Sequence, residues 1–127
     1  MLLDSQRPVY SQLLRDKIYR IMSNQSNKLS RFGEPAHLIL LSLSSGPKHG
    51  YAMTQDIYEE TGIKLGPGTL YGAMTKLAEQ GLIKPLEATS DRRRPYKITG
   101  SGRTALETYV DKWSHVMAIG KQRLAEQ

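Results

Sequence analysis

The fold is decided by residues 45–99, which read SGPKHGYAMTQDIYEETGIKLGPGTLYGAMTKLAEQGLIKPLEATSDRRRPYKIT. Residues 49–61 are predicted to form a helix, because apolar side chains recur at helical spacing and Gly62 is the residue type that follows a helix end. A second helix begins at Gly66-Pro67-Gly68-Thr69 and is closed by Gly81, since proline suits the first helical turn. The buried stripe of that helix is formed by Leu70, Met74 and Leu77. Two helices joined by a short turn are typical of a helix-turn-helix.

The part of this stretch after Gly81 is predicted to form a β-hairpin. Residues 82–88 read LIKPLEA and residues 95–99 read PYKIT, two short strands in which Pro85 is tolerated only at an edge or a bulge. The charged turn between them carries Arg92, Arg93 and Arg94 at its tip. A hairpin that follows a helix-turn-helix in this way is a wing.

The flanking segments complete a mainly α-helical fold with a small β-hairpin. Residues 35–45 read PAHLILLSLSS, and a helix that is apolar on nearly all sides is expected in the middle of a fold. An amphipathic helix is predicted before it, over residues 8–22, followed by a polar linker. The last helix is predicted to run to about residue 124 from Thr99 or Ser101, either of which can cap it.

The last helix carries an apolar stripe at a strict 4-3-4-3-4 spacing, which is the a/d seam of a coiled coil. A helix of about 24 residues is about 36 Å long, more than three short helices can cover. Part of the stripe is therefore expected to contact another chain or the N-terminal helix, and a homodimer satisfies this need. The expected interface residues are Leu106, Tyr109, Val110, Trp113, Met117 and Leu124.

The predicted architecture is thus a dimeric winged helix-turn-helix with added N-terminal and long C-terminal helices. Its expected divisions are an N-terminal helix and linker (1–30), a winged-helix domain (31–99) and a C-terminal dimerisation helix (100–127).

The composition excludes several classes of protein. The 127 residues carry a net charge of +6 and no cysteine, so disulfides, thiolate metal sites and cysteine nucleophiles are excluded. The histidines His37, His49 and His115 form no catalytic or metal-binding pattern, and we predict neither an enzyme nor a bound metal or cofactor. The start MLLDSQRPVY lacks the features of a signal peptide, and no apolar run is long enough to cross a bilayer. A cytoplasmic protein without membrane contact is therefore expected.

The basic charge and the arginine cluster indicate a polyanionic partner. Three arginines at a hairpin tip repel one another and are poorly explained by folding, whereas they suit phosphate or minor-groove contact beside a helix that enters the major groove. Gly68 and Thr69 at the start of that helix let its backbone approach phosphate closely. Thr75 and Lys76 point away from the core further along the same helix. Double-stranded DNA is therefore the predicted partner.

Four motifs in this order resemble the PadR family of transcriptional regulators. They are His49-Gly50-Tyr51, Gly68-Thr69-Leu70-Tyr71, Leu77-Ala78-Glu79-Gln80-Gly81-Leu82-Ile83, and Arg93-Arg94-Pro95-Tyr96-Lys97-Ile98-Thr99 followed by Gly102. The resemblance covers about residues 35–106 and implies a dimeric winged-helix repressor whose C-terminal helix supplies the dimer interface. Together with the residues above, it gives the expected DNA contacts as Tyr51, Gly68, Thr69, Tyr71, Thr75, Lys76, Arg92, Arg93, Arg94 and Lys97.

The resemblance also implies regulation by small molecules. Trp113 is the sole tryptophan and lies on the dimer stripe, where a planar aromatic ligand can stack if the dimer leaves a gap. Tyr109 and Met117 would line the same space; the alternative is that Trp113 only packs the interface. The predicted function is a sequence-specific DNA-binding transcriptional regulator, expected to be a repressor. It would bind a pseudo-palindromic operator as a homodimer, and a small aromatic effector would release it from the DNA. The alternative function is a winged-helix module that binds another protein without specific DNA binding.

Overall fold

The computed structural model describes residues 34–89 and 93–126 of the chain. These residues form four helices and a two-stranded antiparallel sheet. The elements in chain order are α1 (Pro35–Leu43), α2 (Gly50–Thr61), α3 (Pro67–Glu79), β1 (Ile83–Pro85), β2 (Tyr96–Ile98) and α4 (Gly100–Ala125). The mainly helical fold with a small hairpin is confirmed. The helix predicted over residues 8–22 and the contact residue Arg92 lie outside the described residues.

Helix α1 is the centre of the fold, as its apolar sequence predicts. Ile39, Leu40 and Leu43 are almost completely buried, and the helix packs against α2, α3, α4 and β2. Leu41 is the exception among its leucines and remains 44% exposed. The other members of the core come from every element, and they are Leu38, Met53, Ile57, Leu70, Met74, Leu77, Ile83, Ile98 and Leu106.

The ends of α2 and α3 follow from local chemistry. The His49 side chain caps α2, since its ring accepts a hydrogen bond from the Ala52 N–H. Gly62 ends α2 in the left-handed conformation, with φ of 77°, which favours glycine. Pro67 lies in the first turn of α3, and the predicted stripe of that helix is confirmed by the burial of Leu70, Met74 and Leu77.

The wing is tied to the start of α2. Its strands pair antiparallel with Ile83 opposite Ile98, and the pairing continues toward the tip through hydrogen bonds from Leu86 N–H to Pro95 O and from Thr89 N–H to Arg93 O. On the other side of β2, Tyr96 and Lys48 exchange backbone hydrogen bonds of 2.9 and 3.1 Å. The segment just before α2 therefore pairs with β2 through a single β-bridge, which fixes the wing relative to the helix-turn-helix.

Helix α4 begins at a tight crossing over the base of the wing. Thr99 caps the helix by accepting from the Gly102 N–H, and its hydroxyl also donates to Gly81 O at 2.7 Å. A Cβ atom on Gly102 would lie 2.1 Å from Leu82 O and 2.8 Å from Ile98 Cγ1. Only glycine fits at this position, because backbone on the opposite side leaves no room for a methyl group.

The first turns of α4 belong to the core of the protomer. Leu106 is only 8% exposed and packs with the other core residues. The assignment of Leu106 to the dimer seam is therefore corrected. The apolar stripe of α4 has the same 4-3 spacing throughout. Its first residue, Leu106, packs on the core of its own protomer, and the later residues Val110, Met117 and Leu124 are exposed. None of the helices in the described ranges is long and apolar enough to span a membrane.

Candidate nucleic-acid interface

One side of α3 is free of the core and carries half of the expected contact residues. Thr69, Tyr71, Thr75 and Lys76 are all exposed, Tyr71 to 56%, on the side opposite the buried stripe. The Thr75 hydroxyl donates to Tyr71 O at 2.9 Å, so its oxygen can still accept a hydrogen bond from a partner. The helix thus presents short polar side chains and one lysine outward.

Two glycines on this face have open space around them in the described part of the chain. A Cβ atom built on Gly68 or Gly72 would meet no atom within 4 Å. Glycine inside a helix is less favourable than alanine by about 0.8–1.0 kcal/mol. Among the described residues, no contact requires glycine at either position.

The start of α2, the start of α3 and the wing enclose a cleft of about 520 Å³. Gly50 allows α2 to approach α3 here, since a Cβ atom on it would lie 3.0 Å from Tyr71 Oη. Arg93 and Arg94 line the cleft from the wing side. Its complete lining is His49, Gly50, Tyr51, Tyr71, Met74, Arg93, Arg94 and Tyr96, none of which is acidic.

His49 and Arg93 meet inside this cleft although they are 44 residues apart in sequence. Arg93 Nη1 lies 3.2 Å from His49 Nε2, and the other ring nitrogen, Nδ1, accepts from Ala52 N–H at 3.3 Å. The sequence analysis named His49 only as part of the His49-Gly50-Tyr51 motif and predicted no contact for it. No signal in the sequence places it beside the wing, because that proximity results from the pairing of Lys48 with Tyr96.

Lys97 is not brought into the cleft. It lies on β2 between Tyr96 and Ile98, so its side chain projects to the opposite face of the strand from Tyr96. Its partner across the hairpin is Lys84, and both lysines are exposed. Lys84 was not predicted as a contact residue. Two like charges directly opposite each other are unfavourable in an isolated hairpin.

Comparison with known proteins agrees with this architecture. The model of the "Transcriptional regulator PadR-like family" matches residues 39–108, more than half of the chain. The chain belongs to the PadR-like family. The matched region begins in α1 and ends in α4, and it includes the cleft and the exposed face of α3.

Other PadR proteins have the same fold. A PadR family transcription regulator from Clostridium difficile is 28% identical, with 71% of this chain and 97% of that chain covered and a TM-score of 0.64. A padr family transcriptional regulator from Eggerthella lenta is 29% identical, with 85% and 95% covered and a TM-score of 0.62. An uncharacterized 37.1 kDa protein in transposon Tn4556 of Streptomyces fradiae is 43% identical over 96 residues, which are 76% of this chain and 26% of that protein.

The later part of α4 exposes apolar side chains beside a shallow groove. Val110, Met117 and Leu124 are 45%, 52% and 70% exposed. They flank a groove of about 510 Å³. Its lining is Tyr109, Val110, Trp113, Ser114, Met117, Ala118 and Lys121. The residues proposed for effector binding therefore do lie together.

Tyr109 is already engaged within its own protomer. Its ring stacks on His37 of α1 at a centroid distance of 3.7 Å, and Trp113 meets Tyr109 edge-on at 6.1 Å. Burial lowers the pKa of His37, against an opposing effect of Glu34, and burial followed by the Glu34 charge raises the pKa of Tyr109. Among the described residues, no group of acidic or histidine side chains could hold a metal ion.

Proposed function

We propose that this PadR-like chain is a sequence-specific DNA-binding repressor that acts as a homodimer. The observation that carries the proposal is the continuity between the exposed face of α3 and the basic cleft beside it. The major groove is about 12 Å wide and admits a helix, and a helix without Cβ atoms at Gly68 and Gly72 can approach it most closely. Thr69, Tyr71, Thr75 and Lys76 would reach base edges or nearby phosphates.

The wing would supply the salt-dependent part of the affinity. Arg93 and Arg94 lie beside the start of α3, so they meet the backbone flanking the groove that α3 enters. Each phosphate that they neutralise contributes about −0.9 to the slope of log K against log salt concentration. Arg92, at the same tip in sequence, would add to this charge.

The later part of α4 would hold two copies together. Its apolar side chains are exposed in the protomer, and a coiled-coil seam formed by Val110, Trp113, Met117 and Leu124 would bury them. A two-fold symmetric dimer presents two α3 helices about 34 Å apart, one turn of DNA, and therefore binds a pseudo-palindromic operator. Repression would follow because bound protein excludes the polymerase.

An effector would act through the groove on α4. A small planar aromatic molecule would stack on Trp113, with Met117 beside it, and would alter the packing between the two copies of α4. A change in that packing alters the spacing of the α3 helices, so a ligand that favours the altered dimer weakens DNA binding. Quenching of Trp113 fluorescence by a panel of aromatic cations and phenolic acids tests this; no quenching by any of them would contradict it.

The DNA proposal is tested by titrating the protein with the duplex upstream of its own coding region and with a random duplex of equal length, across a salt series. We expect selective binding of the upstream duplex. The variant Arg93→Ala/Arg94→Ala should bind more weakly with a shallower salt slope. Lys121→Ala/Arg123→Ala, which removes the same charge from α4, is the matched control and should keep the wild-type slope. Absence of binding to either duplex at low salt would favour the protein-binding module instead.

A further inference from the structure

Lys48 holds the end of α1 with its side chain. Its ammonium donates three hydrogen bonds, to Ser42 O at 2.5 Å, to Ser45 Oγ at 2.7 Å and to Gly46 O at 3.4 Å. Carbonyl groups at a helix C-terminus have no partner within the helix and carry partial negative charge, which favours a cation there. Since an ammonium has three donors, all of them are used inside the protomer. Lys48 is therefore bound to the end of α1 and to the turn that follows it.

The same ammonium lies near the carboxylate of Asp56 on α2. Asp56 Oδ2 is 4.0 Å from Lys48 Nζ and accepts a hydrogen bond from the Ser42 hydroxyl at 2.6 Å. Ser42 is buried, and the side chains of Lys48 and Asp56 are only 20% and 30% exposed. Opposite charges attract more strongly where water is partly excluded. The Lys48 side chain thus connects the end of α1 with the middle of α2.

The backbone of Lys48 holds the wing. Its N–H donates to Tyr96 O at 3.1 Å, and its carbonyl oxygen accepts from the Tyr96 N–H at 2.9 Å. On this side of β2, the wing is tied to α2 by this single bridge. Arg93 and Arg94 precede Tyr96 by three and two residues, so a displacement of Tyr96 also displaces both arginines. The position of the wing therefore depends on a residue whose own position is fixed by its side chain.

We propose that Lys48 is a positioning residue for DNA binding, because its ammonium fixes the backbone bridge that keeps Arg93 and Arg94 beside the start of α3. This inference rests on the proposed DNA binding. Both arginines line the cleft next to Tyr71. A surface that is already held in its binding geometry loses less conformational entropy when the partner binds. Lys48 acts through the wing and does not contact the DNA itself, since its donors are engaged within the protomer.

The first test is Lys48→Met, which removes the ammonium and keeps a side chain of similar length and the backbone of the bridge. The hydrogen bond from the Thr99 hydroxyl to Gly81 O still holds the base of the wing. The variant should therefore fold, with a melting temperature about 5 °C lower. Its affinity for the upstream duplex, measured well below that temperature, should fall about fivefold. An affinity equal to that of the wild type would overturn the proposal.

The matched control for the lost charge is Lys121→Met, which removes one lysine from α4. Its affinity should stay within about twofold of the wild type, because screening by salt weakens the attraction of a charge distant from the interface. A loss as large as that of Lys48→Met would mean that net charge alone explains both variants, and the proposal would fail.

The decisive measurement repeats Lys48→Met in the Arg93→Ala/Arg94→Ala background, at a salt concentration low enough for all the proteins to bind. If Lys48 acts through these arginines, the additional loss of affinity in this background should be less than about twofold. A residue that contacts the DNA itself, or that only stabilises the protomer, would cost the same factor in both backgrounds. Equal losses in the two backgrounds would therefore contradict the assignment.

Amide hydrogen exchange gives a readout that needs no DNA. In Lys48→Met the exchange rate of the Tyr96 amide, which donates to Lys48 O, should rise at least about threefold more than that of the Leu77 amide inside α3. Ser45→Ala removes one acceptor of the ammonium without changing the net charge, and it should show the same selective change to a smaller extent. It tests the same bridge if Lys48→Met does not fold. Equal increases at both amides would show a general loss of stability and would overturn the proposal.

The proposed function and the role of Lys48 fail in different ways. If the wild type binds no DNA, the proposed function itself fails. If the wild type binds and Lys48→Met behaves otherwise than expected, only the role of Lys48 fails.

Discussion

Helices α3 and α4 begin with the same pattern, Gly66-Pro-Gly68 and Gly100-Ser-Gly102, but the second glycine of each pattern has a different reason to be there. At Gly102 a Cβ atom would collide with Leu82 O at 2.1 Å. At Gly68 it would meet nothing within 4 Å. The described residues require glycine at position 102 and leave open space beside position 68.

The difference separates what the chain needs to fold from what it needs to bind. Gly102 closes the crossing of α4 over the wing, a contact made entirely within one protomer. Gly68 stands at the exposed start of α3, where the described residues leave space for a partner to approach the backbone. Burial makes a similar distinction along α4, where Leu106 is buried in the core of the protomer and Met117 and Leu124 are exposed.

The largest effect is expected from Gly102→Ala. Because the new methyl group meets backbone rather than a flexible side chain, the helix must shift, and the free energy of unfolding should fall by about 3 kcal/mol or more. Thermal unfolding of the variant measures this. Gly100→Ala is the control, since a Cβ atom there has open space. Equal melting temperatures for the two variants would show that the crossing is not tight.

The next largest effect is expected from Val110→Asp/Met117→Asp, which should weaken dimerisation and DNA binding rather than the folding of the protomer. Burying two carboxylates in an apolar seam is unfavourable, so the dimer should dissociate. Light scattering should then report a monomer, and the affinity for the upstream duplex should fall by about 100-fold because a single recognition helix remains per binding event. Glu107→Asp, an exposed change on the same helix, serves as the control. A dimer that survives the two aspartates would place the interface elsewhere.

A smaller effect on binding is expected from Gly68→Ala. The added methyl group would hold the backbone of α3 away from the DNA, so the free energy of DNA binding should become less favourable by about 1–3 kcal/mol. Fluorescence anisotropy with the upstream duplex measures the change. An unchanged affinity would remove the argument that this glycine serves close approach.

The smallest effect is a gain in stability from Gly72→Ala. The residue lies inside α3 with open space around its Cα, so alanine should raise the free energy of unfolding by about 0.5–1 kcal/mol. Chemical denaturation resolves a change of this size. A loss of stability at this position would mean that α3 packs against something the protomer does contain.

Periodicity in the sequence was enough to predict the four helices of the described residues and the buried stripe of α3. Leu70, Met74 and Leu77 recur at spacings that only one helical face satisfies. The same kind of pattern misled at Leu106, because a 4-3 spacing marks an apolar face without saying whether that face meets its own core or another chain. The proximity of His49 to Arg93 could not be predicted, since it depends on strand pairing between residues far apart in sequence.

The central claim is that the exposed face of α3 and the adjoining cleft form a single DNA interface. Amide chemical shifts of the labelled protein, followed during titration with the upstream duplex, test it most directly. We expect the largest chemical-shift changes from Gly66 to Lys76 and at Arg93 and Arg94. The amides of Glu59 and Glu60, at the acidic end of α2, should not shift. Changes concentrated at the acidic end of α2, or spread along α4 with α3 silent, would contradict it.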